Sequence, residues 1–147
     1  MVEETPAIKN MLSRRSIREY KDEQIKDEEL ELILKAGTYA PSGRGLQSAK
    51  IMVIQDKEII EKFSKWNALY LPGNPDVDPF FGAPTLLIVL ANSEVPTYVE
   101  DGSVVIANML NAAHSLGIGS CWVHRARNEF ESEQGKELLK VWGIPET

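Results

Sequence analysis

At 147 residues the chain has the length of one ordinary domain, and a hydrophobic content of 43% supplies one real core. A net charge of −6 and a pI near 5.0 exclude a dedicated nucleic-acid binder, whose contact face must be basic. Cys121 is the single cysteine, which rules out an internal disulfide and any zinc site built on several thiolates, and suits a reducing cytoplasm.

The opening MVEETPAIKN has no cationic stretch ahead of an apolar one, so no signal peptide is expected. The most apolar run, residues 83–91, is too short to cross a bilayer. A soluble cytoplasmic protein with no membrane partner is the resulting expectation.

Taken in chain order, the first helix opens with Thr5 as N-cap and Pro6 at the first helical position, and runs to Ser13. Proline is favoured there because it lacks the amide that would otherwise go unpaired. A second helix begins near Asp27, carries Leu30, Ile33 and Leu34 on one face, and ends between Gly37 and Pro41. Residues 50–55, KIMVIQ, form a short buried strand, and Asp56 caps a helix containing Ile59, Ile60, Phe63 and Trp66. Residues 71–78 hold two prolines, a glycine and an asparagine and are a loop, either a lid over a ligand site or ordinary surface chain.

Residues 84–91 are continuously apolar and predict a strand central in its sheet. Thr97 and Glu100 have capping-box spacing ahead of a long helix that reaches Leu116. Val104, Val105, Ile106, Met109, Leu110, Ala113 and Leu116 surround that helix, so it must be buried on nearly every side. In so small a chain a second subunit is the natural cover. Residues 120–124 read as a further strand, and Asn128 with Glu131 repeats the capping spacing before a last helix through Leu138, Leu139 and Trp142. The order α-α-β-α-loop-β-α-β-α implies an α+β layout, a small sheet covered by helices.

Two segments carry candidate chemistry. Arg14-Arg15-Ser16-Ile17-Arg18 follows the first helix, and an extended backbone would set Arg14, Ser16 and Arg18 on one side. Guanidinium donors with a hydroxyl hold a phosphate dianion, whereas the plainer reading is a solvated basic patch. Residues 41–47, Pro-Ser-Gly-Arg-Gly-Leu-Gln, form a turn-rich loop whose glycines permit close approach of a flat ligand, with Ser42 and Gln47 offering hydrogen bonds. A plain connecting loop is the alternative. The loop is no dinucleotide fingerprint, because its spacing lacks the last glycine and it precedes a strand instead of following one. Of the remaining groups, His114 reads as a core or interface histidine and Cys121 as an inert core thiol. No paired histidines or carboxylates have metal-ligand spacing, and no nucleophile elbow is present.

With these two segments in order, the chain resembles the nitroreductase family, which combines Arg-x-Ser-x-Arg/Lys after its first helix with Pro-Ser-x-x-x-x-Gln after its second. Gly82-Ala83-Pro84, the helix ending Leu116-Gly117-Ile118-Gly119-Ser120, and Cys121-Trp122-Val123-His124 are similar to the same family. The resemblance spans essentially the whole chain. It implies one domain over residues 1–147 with a three-layer α+β fold: a small mixed or antiparallel sheet, flanking helices, and the long helix at a homodimer interface.

The implied activity is an FMN-dependent oxidoreductase that moves electrons from NADH or NADPH to small flat acceptors such as nitroaromatics or quinones, by a ping-pong mechanism. By the same resemblance Arg14 and Ser16 grip the FMN phosphate with Arg15 assisting, and Arg18 lies near the pyrimidine edge of the flavin. Pro41, Ser42 and Gly43 of the second subunit, on the loop that Gln47 closes, pack against the isoalloxazine, and backbone at His124 and Arg125 faces flavin N5. No protein side chain is implied as catalytic, since the flavin carries the chemistry. Two departures stand out. Gly45 occupies a position where many relatives carry asparagine, and relatives continue past Thr147 with a strand, a basic phosphate-binding segment and a tail. A flavin-binding or catalytically impaired relative of the same fold is therefore the alternative.

Overall fold

The computed structural model describes residues 3–73 and 76–145. Helix α1 spans Pro6–Ser13, α2 Asp27–Thr38, α3 Lys57–Ala68, α4 Tyr98–Ser115, α5 Ala126–Glu131 and α6 Glu133–Val141; strands β1 and β2 span Lys50–Ile54 and Leu86–Leu90. The local signals act where expected. The Thr5 hydroxyl accepts from Ile8 N at 3.4 Å, and Asp56 Oδ1 accepts from Ile59 N at 3.0 Å, so each helix starts on a satisfied amide.

β1 and β2 pair antiparallel, with Lys50 opposite Leu90 and Ile54 opposite Leu86. Alternation along the strands then feeds two separate cores. Ile54, Leu86, Ile88 and Leu90 join Phe63, Trp66, Phe80, Phe130 and Leu139 on the α3–α5–α6 side. Ile51, Leu87 and Val89 join Ile33, Ala40, Val105, Met109 and Ala113 on the α2–α4 side. The result is three layers, helices, sheet, helices. It also corrects the expected central strand: among the described residues β2 has one strand neighbour, and its apolar run is continuous because both of its faces are covered.

Three further expectations differ from the structure. Residues 120–124 form no strand; Ile17 N donates to the Ser120 carbonyl at 3.0 Å, but a single bond gives no ladder. Thr97 and Glu100 form no capping box. Thr97 has φ −101° and ψ 18°, outside the extended N-cap geometry, and its hydroxyl donates to Asp101 Oδ2 at 3.1 Å. Asn128 caps nothing, because the chain is already helical from Ala126. Glu131 instead pairs with Arg127, and Ser132 breaks the helix and caps α6 by accepting from Gly135 N.

Within α4, Val105, Met109 and Ala113 are buried, Val104, Ile106 and Leu110 are half-buried, and Leu116 just past its end is exposed. α1 has no buried residue, and Met11 and Leu12 are 62% and 58% exposed. It is tied to α4 through Asn10 Nδ2, which donates to the Asn111 carbonyl at 2.9 Å, and through Ser13 Oγ, 2.8 Å from His114 Nε2. Of the expected 71–78 loop, Asn74 and Pro75 lie outside the described residues, as does Thr147. Among the described residues no helix is long and apolar enough to cross a membrane.

Candidate functional site

The 14–18 segment leaves α1 where Arg14 forms the C-cap, with extended φ −57° and ψ 136°. Arg14 is half-buried, and its Nη1 is buried with no hydrogen-bond partner. The Arg15 guanidinium folds back onto the end of α1, its Nη1 donating to the Leu12 and Arg14 carbonyls at 2.8 and 2.7 Å. Cationic donors at a helix C-terminus satisfy its last carbonyls. Ser16 and Arg18 are exposed. Ile17 lies against Gly119, where an added Cβ would meet its side chain at 3.1 Å, so the segment runs alongside the chain leaving α4.

Arg18 lies 6.0 Å from the centroid of the Phe81 ring. A tight turn presents that ring. Asp78 accepts from Ser64 Oγ at 2.7 Å, Phe80 N at 3.0 Å and Gly82 N at 2.7 Å, and Phe81 takes a left-handed φ of 56°. Partial burial opposes ionisation of Asp78, but the three donors outweigh it and hold the carboxyl below its ordinary value. Beside them, burial pushes the Tyr20 phenol up to about 12, helped by Cys121 and opposed by Arg18; its hydroxyl donates to the Ile17 carbonyl at 2.6 Å.

The 41–47 loop is built by its own polar atoms. Ser42 Oγ accepts from Gln47 N at 2.9 Å, Gln47 Nε2 donates to the Ala40 carbonyl at 3.2 Å, and Gly43–Gly45 is a 3-10 turn. Arg44 and Gln47 both have positive φ, 55° and 51°. Buried Asp101 at the start of α4 accepts from Gly43 N at 2.8 Å. Pro41, Ser42 and Gln47 also line a cavity of about 520 Å³ against Leu34, Ile51 and Val105.

His124 is exposed and Arg125 half-buried, and Arg125 is the N-cap of α5 in the left-handed region at φ 84°. Behind them Asn67, 1% exposed, donates from Nδ2 to the His124 carbonyl at 3.2 Å and to Glu129 Oε2 at 2.9 Å, and accepts from Arg125 Nε at 3.0 Å. Burial pushes the Glu129 carboxyl up to about 7, against the Asn67 hydrogen bond and the Arg125 charge.

The structure joins the 14–18 segment to residues 119–120 and ties it, through α1, to the far half of α4. The 41–47 loop is tied to the near end of the same helix. Asp101 and His114 are thirteen positions apart on α4, about 20 Å along its axis. Among the described residues three buried side-chain polar atoms lack partners: Arg14 Nη1, Ser48 Oγ and Glu129 Oε1. All three fall in or beside the candidate segments. Sequence reasoning missed Asn67, Phe81, Asp101 and Glu129. Only Asn67 had a readable sign, a polar residue on the stripe set by Phe63 and Trp66.

These features describe a three-layer α+β protein with an unsatisfied guanidinium after its first helix and a left-handed turn after its long one. The model described as the Nitroreductase family matches residues 11–147. An Archaeoglobus fulgidus protein provisionally named for NADH dehydrogenase or NAD(P)H nitroreductase activity is 36% identical, over 95% of this chain and 77% of its own. An FMN reductase [NAD(P)H] of Bacillus subtilis is 27% identical over 94% of this chain and 59% of its own. The crystal structure of a Bacteroides fragilis nitroreductase with bound FMN superposes with a TM-score of 0.87 at 27% identity, covering 97% of this chain and 82% of that one. The chain belongs to the nitroreductase family.

Proposed function

We propose that this chain is an FMN-dependent NAD(P)H oxidoreductase acting as a homodimer in the cytoplasm. The observation that carries the reading is the buried, partnerless Nη1 of Arg14 at the head of a cationic, hydroxyl-bearing segment. A buried donor left without an acceptor costs free energy, and a phosphate oxygen would satisfy it with a charge-assisted bond. The residues present therefore fit the phosphate of FMN. When bound, FMN supplies the redox chemistry, taking hydride from NADH or NADPH and passing electrons to a flat acceptor such as a nitroaromatic or quinone, in a ping-pong cycle.

The chain's own residues bind and orient. Arg14 and Ser16 hold the phosphate, while Arg15 assists from behind, tied to the last carbonyls of α1. Arg18, set against Phe81, brings positive charge to the pyrimidine edge. Backbone at His124 and Arg125 would hold the N5 side of the ring. Pro41, Ser42 and Gly43, on the loop closed by Gln47, come from a second copy of the chain. Support for that assignment lies in the separation of the two anchor points on α4 and in the uncovered apolar side chains of α1. Hydride transfer needs no acid or base from the protein.

The test is a titration of purified protein with FMN followed by flavin fluorescence, then NADH and NADPH oxidation with a quinone and a nitroarene. Saturable binding with donor oxidation is expected. Protein that neither binds FMN nor oxidises either donor with any acceptor overturns the reading.

A further inference from the structure

The polar group behind the His124–Arg125 turn has no part in holding a phosphate or packing a ring, and it sits in an expensive place. Asn67 and Glu129 are 1% and 3% exposed beside Phe63, Trp66 and Phe130, a cluster of rings 5.6 to 6.4 Å apart. Polar groups in such surroundings cost free energy unless every atom is bonded, and Glu129 Oε1 is not. Apolar side chains of similar volume would pack there at least as well. Stability of the core alone therefore does not account for the pair.

What Asn67 does is bond three groups around one turn, one of them backbone and two of them side chains. Asn67 holds the carbonyl before the turn, the side chain of the turn residue, and the carboxylate of the helix that follows it. Arg125 stands at φ 84° and ψ −5°, a conformation that a residue with a Cβ resists and glycine adopts freely. A left-handed arginine persists only where its surroundings over-determine it, and such sites cluster where backbone meets a ligand.

We infer that Asn67, itself held by Glu129, is a positioning residue: it locks the left-handed His124–Arg125 turn so that this backbone meets the redox edge of the bound ring in a preset geometry. The inference rests on the flavin reading for its ligand, and on the geometry of the chain alone for the clamp. Asn67→Leu removes the clamp while keeping the branching and heavy-atom count of the side chain. Arg125→Gly removes the need for it.

The experiment has two arms. In FMN-free protein, amide hydrogen exchange at Glu129, whose N–H donates to the Arg125 carbonyl, is expected to accelerate about tenfold or more in Asn67→Leu, while α2 and α4 keep natural protection. In the FMN complex, single-turnover reduction by NAD(P)H is expected to slow at least about tenfold in Asn67→Leu, with FMN affinity within about threefold of the natural protein. Adding Arg125→Gly should recover most of that rate. Unchanged exchange at Glu129, a uniform rise over the whole chain, or no recovery from Arg125→Gly overturns the inference. If Asn67→Leu does not fold, Asn67→Ala carries the same comparison, since it removes the two N–H donors and the acceptor oxygen without adding a charge. Failure of the natural protein to bind FMN sinks the flavin reading only, because the exchange arm needs no flavin.

Discussion

Asp101, 4% exposed in the first turn of α4, accepts the backbone amide of Gly43 at 2.8 Å across 58 residues of chain. Its other oxygen accepts from Thr97 Oγ1 at 3.1 Å. One carboxylate thereby fixes the conformation of the 41–47 loop relative to the long helix. Asp101→Ala leaves the Gly43 amide without an acceptor, so stability should fall by about 1–3 kcal/mol, read from the urea midpoint. Asp101→Asn keeps an acceptor oxygen and should lose less. Gly43→Ala should also destabilise, because its Cβ would overlap Thr97 Oγ1. Equal losses from Asp101→Ala and Asp101→Asn would mean that charge, and not the Gly43 bond, is what matters.

Arg14→Ala separates binding from folding. Its Nη1 has no partner within the chain, so deleting the side chain breaks no hydrogen bond of that nitrogen and should leave thermal stability close to natural. FMN affinity should weaken by about 1.5–3 kcal/mol, the scale of a bond to a charged group. Unchanged affinity, measured by fluorescence titration, places the phosphate elsewhere.

The sequence was most readable where a signal and its effect lie within one turn. Thr5 with Pro6 and Asp56 marked the starts of α1 and α3, because an N-cap bonds an amide three residues on. It misled where spacing alone was the guide. Thr97 and Glu100 have the right interval, yet the Thr97 hydroxyl goes to Asp101, a carboxylate itself committed to a loop far back in the chain. Residues 120–124 have the look of a strand, but a strand exists only through a neighbour, and Ile17 offers them one bond. In the candidate site, the arginines and the loop were visible as unusual local composition. The Asn67–Glu129 pair was not, since its meaning depends on two helices meeting 62 residues apart.

Glu129 gives stability a pH dependence of known sign. Its carboxyl titrates near 7 in the folded chain, first because of burial, against an ordinary 4.5. Between those values the folded state binds more protons than the unfolded one, so stability falls as pH rises. The contribution is fully present below 4.5 and lost above 7. Glu129→Gln lacks this titration, so natural protein should lose stability relative to the variant between pH 5 and pH 8. Urea unfolding of both proteins across that range checks it. A constant difference would show that Glu129 titrates as an ordinary glutamate.

Gly135 marks a close backbone approach in the α5–α6 hinge. A Cβ there would overlap the Glu129 carbonyl and lie 2.5 Å from Phe130 Cα, both main-chain atoms that cannot rotate away. Gly135 N also donates to Ser132 Oγ at 3.2 Å, so moving the residue outward would strip α6 of its cap. Relief therefore has to come from separating the helices, which would pull Phe130 and Leu139 out of the aromatic core they share. Gly135→Ala should cost about 2–4 kcal/mol, in the range of overpacking combined with a lost cap. Alanine favours a helix interior over glycine by about 1 kcal/mol, so propensity alone predicts stabilisation instead. The sign of the change in thermal midpoint decides between them, and a stabilised Gly135→Ala variant would mean that the two helices can part at little cost.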